Sequence, residues 1–279
     1  MQVLAEVEPG PARGLYTGSI GHIDADGSAR FNVAIRTLTI RDGEGVIGLG
    51  SGVVADSDVG AEWDECLAKA AFLRAGGRRF DLVETMAFDP EEGIALLECH
   101  LARLKSSADA FGFRFDRHAA RNELQAATFR LRAPSRVRLL LGRHGAVAIE
   151  VGSMPPAPAS PMPVAVVPLP VDAHDFRLRH KTTDRGFYDR ARADAGAFEV
   201  LFEDGDGYLT EGSFTSLFVP RGDRLVTPPL ARGLLPGVLR ETLIAEGRAE
   251  EGELTRADLG NGFFVGNGLR GLIPAVVRG

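Results

Sequence analysis

Cysteine, lysine and long apolar runs are what this chain has least of. Its two cysteines, Cys66 and Cys99, each sit within a helical pattern and lack CxxC or histidine spacing, which excludes a disulfide framework and a zinc site. No apolar stretch approaches bilayer-spanning length, and the opening MQVLAEVEPG has neither a basic n-region nor an apolar h-region. A cytoplasmic protein with reduced thiols and no membrane partner is expected. A long basic run is also missing and the net charge is −6. No nucleic-acid partner is expected, because neutralising a phosphate backbone needs a clustered positive face. No internal repeat or low-complexity tail stands out. What remains is a globular chain of 279 residues, 44% hydrophobic and 25% charged, long enough for one large domain or two ordinary ones, with small molecules as its expected ligands.

Punctuation along the chain suggests three parts. Residues 1–75 alternate β-rich runs with Asp-Gly and Gly-containing turns, as stacked hairpins do, and close on the helical pattern VGAEWDECLAKAAFLRAGG. Gly76-Gly77 is the expected boundary. Residues 76–160 read as a small α+β unit: a strand in FDLVETMAF, a helix with Leu97, Leu101, Leu104, Ala108 and Phe111 on one face, a second helix near 119–132 and the hairpin RVRLLLGRHGAVAIEV. The following GSMPPAPASPMPVAVVPLPVD holds seven of the 16 prolines, which is expected to exclude helix and central strand and to make an inter-domain crossing that becomes an edge strand. Residues 161–279 then read as a larger, β-rich domain.

The scarcity of lysine draws attention to LRHKTTDRGFY, residues 178–188. Nearly all of the 32 basic residues are arginine, and an arginine would serve to hold a phosphate or carboxylate. Only lysine carries a primary amine that can lose its proton and attack a carbonyl, which makes Lys181 a candidate Schiff-base lysine. Arg179 and Arg185 nearby would lower its pKa; the alternative is a solvated basic loop. Glu211 in LTEGS is either a solvated carboxylate or, buried beside a pyridine nitrogen, the group that keeps that nitrogen protonated. Pro236-Gly237 opens a helix and leaves the N–H groups of Gly237 and Val238 at its positive end. GNGLRG offers a second nest at Asn267 and Gly268. Each cradle alone is more often a plain helix entry or turn. Together, two anion cradles, an amine and a carboxylate are what pyridoxal 5'-phosphate requires.

Six motifs, FDLVETM, CHLARLKSSADAFGF, HKTTDRGFYDRAR, LTEGSFTSLFV, TPPLARGLLPGVLR and GNGLRGLIPA, run in the order found in the fold-type IV pyridoxal-phosphate enzymes. From about Phe80 to Pro274 the chain most resembles the aminodeoxychorismate lyases fused to aminodeoxychorismate synthase component I. That resemblance implies an α+β fold with a small domain and a larger β-rich one, a homodimer, and the conversion of 4-amino-4-deoxychorismate to 4-aminobenzoate and pyruvate in folate biosynthesis. It implies that Lys181 carries the cofactor, Glu211 pairs with its ring nitrogen, and Arg103, in the HxxRL pattern that begins at His100, binds phosphate with Gly237, Val238, Asn267 and Gly268. Tyr188 is placed near the cofactor and Thr85 on the substrate side. Ser216 departs from the family pattern, where asparagine is usual. Residues 1–75 resemble the C-terminal end of a chorismate-utilising synthase domain through RGLYTGSIGHI, FNVAIRTLT and GSGVVADSDVGAEWDECLAKA. There Arg36, Glu62 and Glu65 match positions that contribute to chorismate and magnesium binding, but most of that domain is absent, so no metal site is expected. A branched-chain or D-amino-acid aminotransferase would use the same lysine, glutamate and cradle; HKTTDR favours the lyase. An inactive truncated fusion or interaction module is the non-enzymatic alternative.

Overall fold

Short β-branched runs broken by Gly-containing turns fold the first part of the chain into two hairpins. Strand β1 (Ser19–Ile23) pairs with β2 (Ala29–Val33) and β3 (Leu38–Arg41) with β4 (Glu44–Ile47), ahead of helix α1 (Val59–Ala75). Gly27 turns the first hairpin at φ +84, a conformation that L side chains rarely adopt. The structure, a computed structural model, describes residues 13–41, 44–75 and 80–278. It divides into two units, Met1–Gly76 and Gly77–Gly279, and the Gly76-Gly77 pair lies outside the described residues. Among the described residues of the first unit, Ala34 is the one buried hydrophobic residue. Ile20, Phe31, Val33, Ile40, Val46 and Trp63 are all exposed. Among the described residues the hairpins therefore bury almost no apolar surface, a marginal arrangement for two-stranded ribbons.

The second unit opens on β5 (Leu82–Asp89) and β6 (Gly93–Ile94), then α2 (Leu97–Phe111), α3 (Arg117–Thr128), β7 (Ser135–Leu141) and β8 (Val147–Ser153). The four strands form one antiparallel sheet in the order β6-β5-β7-β8. Period-two alternation sends Leu82 and Met86 of β5 and Val137, Leu139 and Leu141 of β7 to one face, where they pack on Leu101, Leu104 and Leu124 of the two helices. Helix α2 stops at Gly112 in the left-handed conformation, as the sequence leads one to expect. Val83, Thr85, Arg136 and Arg138 alternate onto the other face.

Beyond it come β9 (Met162–Pro168), α4 (Phe176–Arg179), α5 (Gly186–Ala195), β10 (Glu199–Glu203), β11 (Leu209–Gly212), β12 (Ser216–Arg221), β13 (Arg224–Thr227), α6 (Val238–Ala245), β14 (Ala249–Glu251), β15 (Phe263–Asn267) and β16 (Gly271–Val277). The sheet order is β11-β10-β9-β16-β15-β12-β13-β14, with a further β11–β12 pairing at Glu211 and Ser216. That last pairing closes six strands into a barrel-like ring. Met162, Val164, Leu201, Leu217 and Val265 belong to one hydrophobic core of this sheet, while α5 packs Phe187 and Tyr188 with Val200 and Phe202, and α6 packs Leu243 with Phe218.

The proline-rich segment corrects the expectation of an edge strand. β9 lies in the interior of the sheet, parallel to both β10 and β16. Its pairings are staggered: β16 meets residues 162–164 and β10 meets 164–168. Pro163 precedes the first β10 pairing and Pro168 takes the last, so the central Val164–Val167 run keeps its N–H groups for the ladders. Among the described residues, no helix is long and apolar enough to cross a membrane.

Candidate active site

The lysine stretch is fixed before its side chain is considered. Val83 N–H donates to the Lys181 carbonyl at 3.0 Å, Thr183 N–H to Asp81 O at 2.9 Å, and Asp81 N–H to Thr183 Oγ1 at 3.0 Å, so the segment between α4 and α5 is stitched along β5. Lys181 then projects into a cavity of about 500 Å³ that Thr85, Arg103, Glu211, Gly237, Val238, Asn267 and Gly268 also line. Its ammonium makes no hydrogen bond or ion pair among the described residues. Burial drives the amine down to about 7; Glu84 opposes this, and Arg103, Arg185 and Arg138 add to the depression. Arg185 acts as expected. Arg179 instead bears on His180, which burial chiefly holds near 4.

Glu211 stands at the β11–β12 seam with both oxygens occupied by neutral donors. The Tyr188 hydroxyl donates to Oε1 at 2.5 Å and Leu235 N–H to Oε2 at 3.0 Å. Burial pushes its carboxyl up to about 7 against those hydrogen bonds and the nearby Arg185. Tyr188 does not line the cavity: it is 1% exposed, with the Arg185 guanidinium 4.2 Å over its ring, and reaches the site through Glu211.

Arg103 is not a free cation. Its Nε and Nη2 donate to the two oxygens of Glu84 at 2.9 and 2.6 Å, and its Nη1 to the Pro236 carbonyl at 3.0 Å. Two of the five guanidinium N–H groups remain. His100, one helical turn earlier on the same face of α2, places Nδ1 2.6 Å from Glu84 Oε2, and its buried Nε2 has no partner. Burial alone would raise Glu84, but Arg103 and His100 outweigh it and hold the carboxyl far below the usual range.

Two glycines let the neighbouring wall pack too closely for a side chain. A Cβ on Gly237, the residue that caps α6, would come 2.6 Å from Ser216 Oγ, and one on Gly268 would come 2.7 Å from Val238 Cγ2. Ser216, where the family pattern has asparagine, is thus the residue that crowds Gly237. The Asn267 side chain is spent on its own loop: Nδ2 donates to Phe214 O at 2.9 Å, and Oδ1 accepts from Leu269 and Arg270 N–H at 3.0 Å.

Sequence reasoning missed Glu84 and the density of arginines. Arg136, Arg138, Arg185, Arg192 and Arg270 line the cavity with Arg103, and Arg136 makes no hydrogen bond or ion pair among the described residues. The signal for Glu84 was a charged residue at a core position of an alternating strand. In the first unit, Glu62 lines a separate hollow with Tyr16, Trp63 and Cys66, whereas Arg36 and Glu65 do not line it and Glu65 pairs with Lys69 at 2.5 Å.

The profile of amino-transferase class IV matches residues 81–277, and that of chorismate binding enzyme residues 1–75. A solved structure from Mesorhizobium loti, described provisionally as an amino-acid aminotransferase, is 38% identical with a TM-score of 0.67 and covers 71% of this chain and 100% of its own. A Schizosaccharomyces pombe protein named provisionally as aminodeoxychorismate lyase is 29% identical over 192 residues, 65% of this chain and 82% of that one. Anthranilate synthase component 1 of Streptomyces coelicolor is 42% identical to this chain over 79 residues, which are 28% of this chain but only 15% of that relative.

Proposed function

The chain belongs to the amino-transferase class IV family of pyridoxal-phosphate enzymes, and from that premise we propose that it is a lyase releasing pyruvate and 4-aminobenzoate from 4-amino-4-deoxychorismate. The residues present fit the cofactor. One cavity is lined by a depressed amine, a buried carboxylate, the backbone of Gly237 and Gly268, where a Cβ would strike Ser216 and Val238, and His100, whose Nε2 has no partner among the described residues. Arg103 and the backbone at Gly237, Val238, Asn267 and Gly268 would hold the phosphate, Glu211 the ring nitrogen, and Lys181 the aldehyde carbon. When bound, pyridoxal phosphate supplies a carbonyl that condenses with primary amines and a ring that accepts the electrons left when a neighbouring bond breaks.

What carries the proposal is the Lys181 amine, driven to about 7 in the same cavity as Glu211. Near neutral pH a large fraction of it is unprotonated, so its lone pair serves both as nucleophile and as base. Lys181 Nζ would take the proton from the substrate carbon that bears nitrogen and return one to the departing enolpyruvyl carbon. Glu211, with its two oxygens fixed by Tyr188 and Leu235, would hold the ring nitrogen in its protonated form. The surplus of guanidinium groups over Glu211 suits a substrate with two carboxylates, and Thr85 on β5, which also lines the cavity, would face it.

The aminotransferase reading is favoured by one observation, the 38% identity to the Mesorhizobium loti protein. Incubation with aminodeoxychorismate, with pyruvate and 4-aminobenzoate measured, is set against amino transfer to 2-oxoglutarate. Pyruvate release without amino transfer is expected, and the reverse would replace the lyase by the transferase. Lys181→Ala should abolish both turnover and the visible absorbance of the loaded protein. Retention of either would remove Lys181 from its role.

A further inference from the structure

His100 is 1% exposed, yet it lines the cavity. Its ring is fixed at one nitrogen only. Nδ1 lies 2.6 Å from Glu84 Oε2, while Nε2 has no protein partner, and a Cβ added to Gly268 would stand 3.1 Å from it. The same carboxylate pins Arg103, whose Nη1 reaches the Pro236 carbonyl immediately ahead of the α6 cap at Gly237. His100, Arg103 and the start of α6 at Gly237 and Val238 line one pocket, and His100 Nε2 is buried at its edge beside Gly268.

From this arrangement we propose that His100 is a proton-coupled ligand of that pocket: Nε2 takes up a proton when a doubly charged oxyanion of the phosphate class enters, and donates it to the anion. With Nδ1–H given to Glu84, a neutral His100 offers the cavity only a lone pair. An oxyanion also offers only lone pairs. Two buried acceptors cannot satisfy each other, so the pair is repulsive until Nε2 is protonated, after which it becomes a charge-assisted hydrogen bond.

The groups that face the ring set the direction of this exchange. Burial comes first in disfavouring the imidazolium, with Arg103 on its own helix and Lys181 from the segment ahead of α5 adding to it, while Glu84 from β5 opposes them; the net result places His100 below its ordinary value. Glu241 on α6 acts on Arg103 as a further negative charge. Without an anion His100 is thus neutral near pH 7, and an anion supplies the second negative charge that shifts the balance. The idea rests on the reading of Gly237 and Gly268 as an oxyanion cradle.

Sulfate titrated into the unloaded full-length protein separates the two, because sulfate does not titrate near neutrality. Binding is followed by calorimetry and the ring nitrogens of His100 by 15N spectroscopy at constant pH 7.5, with His100→Gln assigning the signal. Nε2 should pass from the unprotonated to the protonated pattern as sulfate saturates, and His100→Gln should bind on the order of tenfold more weakly. Sulfate binding that leaves Nε2 unprotonated, or unchanged affinity in His100→Gln, would overturn the proposal and leave the cradle standing. Absence of sulfate binding would overturn both.

Discussion

The helix-backed floor around Glu84 and the barrel seam around Glu211 each bury a carboxylate beside the same cavity, and they drive it in opposite directions. Glu84 meets a guanidinium through two hydrogen bonds and an imidazole through a third, and stays ionised far below the usual range. Glu211 meets a phenol and a backbone amide, and burial raises it to about 7 despite both bonds. Hydrogen bonds from neutral donors do not offset the desolvation of a carboxylate, whereas a bidentate guanidinium does. The floor thus holds a permanent charge that organises its neighbours, and the seam holds one free to share a proton with a bound base.

The sharpest way to break the comparison is to remove the responsive carboxylate. Glu211→Leu should lower kcat by on the order of a thousandfold, since a preorganised charge at a developing charge is worth that much in a water-excluded site. Lys181 should remain reactive: labelling of its amine by a small aldehyde followed by borohydride should rise through about pH 7 in both proteins. A loss of labelling in Glu211→Leu would mean that the variant had disturbed the cavity rather than the charge.

Removing the permanent carboxylate should act on stability instead. Glu84→Leu strands Arg103 and His100, and breaking one partner of a buried pair costs about 3–5 kcal/mol, readable in denaturant unfolding. Glu84→Gln keeps the shape and alters the pH dependence. A depressed carboxylate contributes stability above its unfolded value, about 4.3, and loses it as pH falls through the folded value, so Glu84→Gln should flatten the acid limb. Glu211 has the opposite sign: the folded state binds the extra proton, so its contribution declines as pH rises from the ordinary carboxylate range to about 7. An unchanged acid limb in Glu84→Gln would erase the distinction between floor and seam.

What the sequence disclosed and what it concealed follow the same line. Lys181 was legible because a lysine among so many arginines had to be explained by its amine, and α6 because Pro236-Gly237 is a local helix signal. Glu84 was hidden because a carboxylate is read as exposed until its partners are known, and those partners lie sixteen and nineteen residues away on α2. The central place of β9 was hidden because proline count says nothing of which N–H groups the stagger of two neighbouring strands requires. Tyr188 was expected near the cofactor; it does not line the cavity, and the packing of α5 against the barrel brings its hydroxyl to Glu211. The first unit shows the limit of local pattern, since its strands are correctly spelled in residues that bury almost nothing.

That tyrosine gives the smallest expected effect and the finest test. Tyr188→Phe keeps the ring that packs with Phe187 and Phe202 and deletes only the hydroxyl that favours ionised Glu211. Stability should fall by about 1.5–3 kcal/mol, as for a hydrogen bond to a charged group, with kcat reduced only a few-fold because Leu235 N–H still orients the carboxylate. The Glu211 carboxyl should rise above 7, and the limb of the pH–rate profile that it controls should move to higher pH by the same amount. A profile that stays in place while stability drops would make Tyr188 a packing residue alone, and would leave burial as the sole cause of the difference between Glu211 and Glu84.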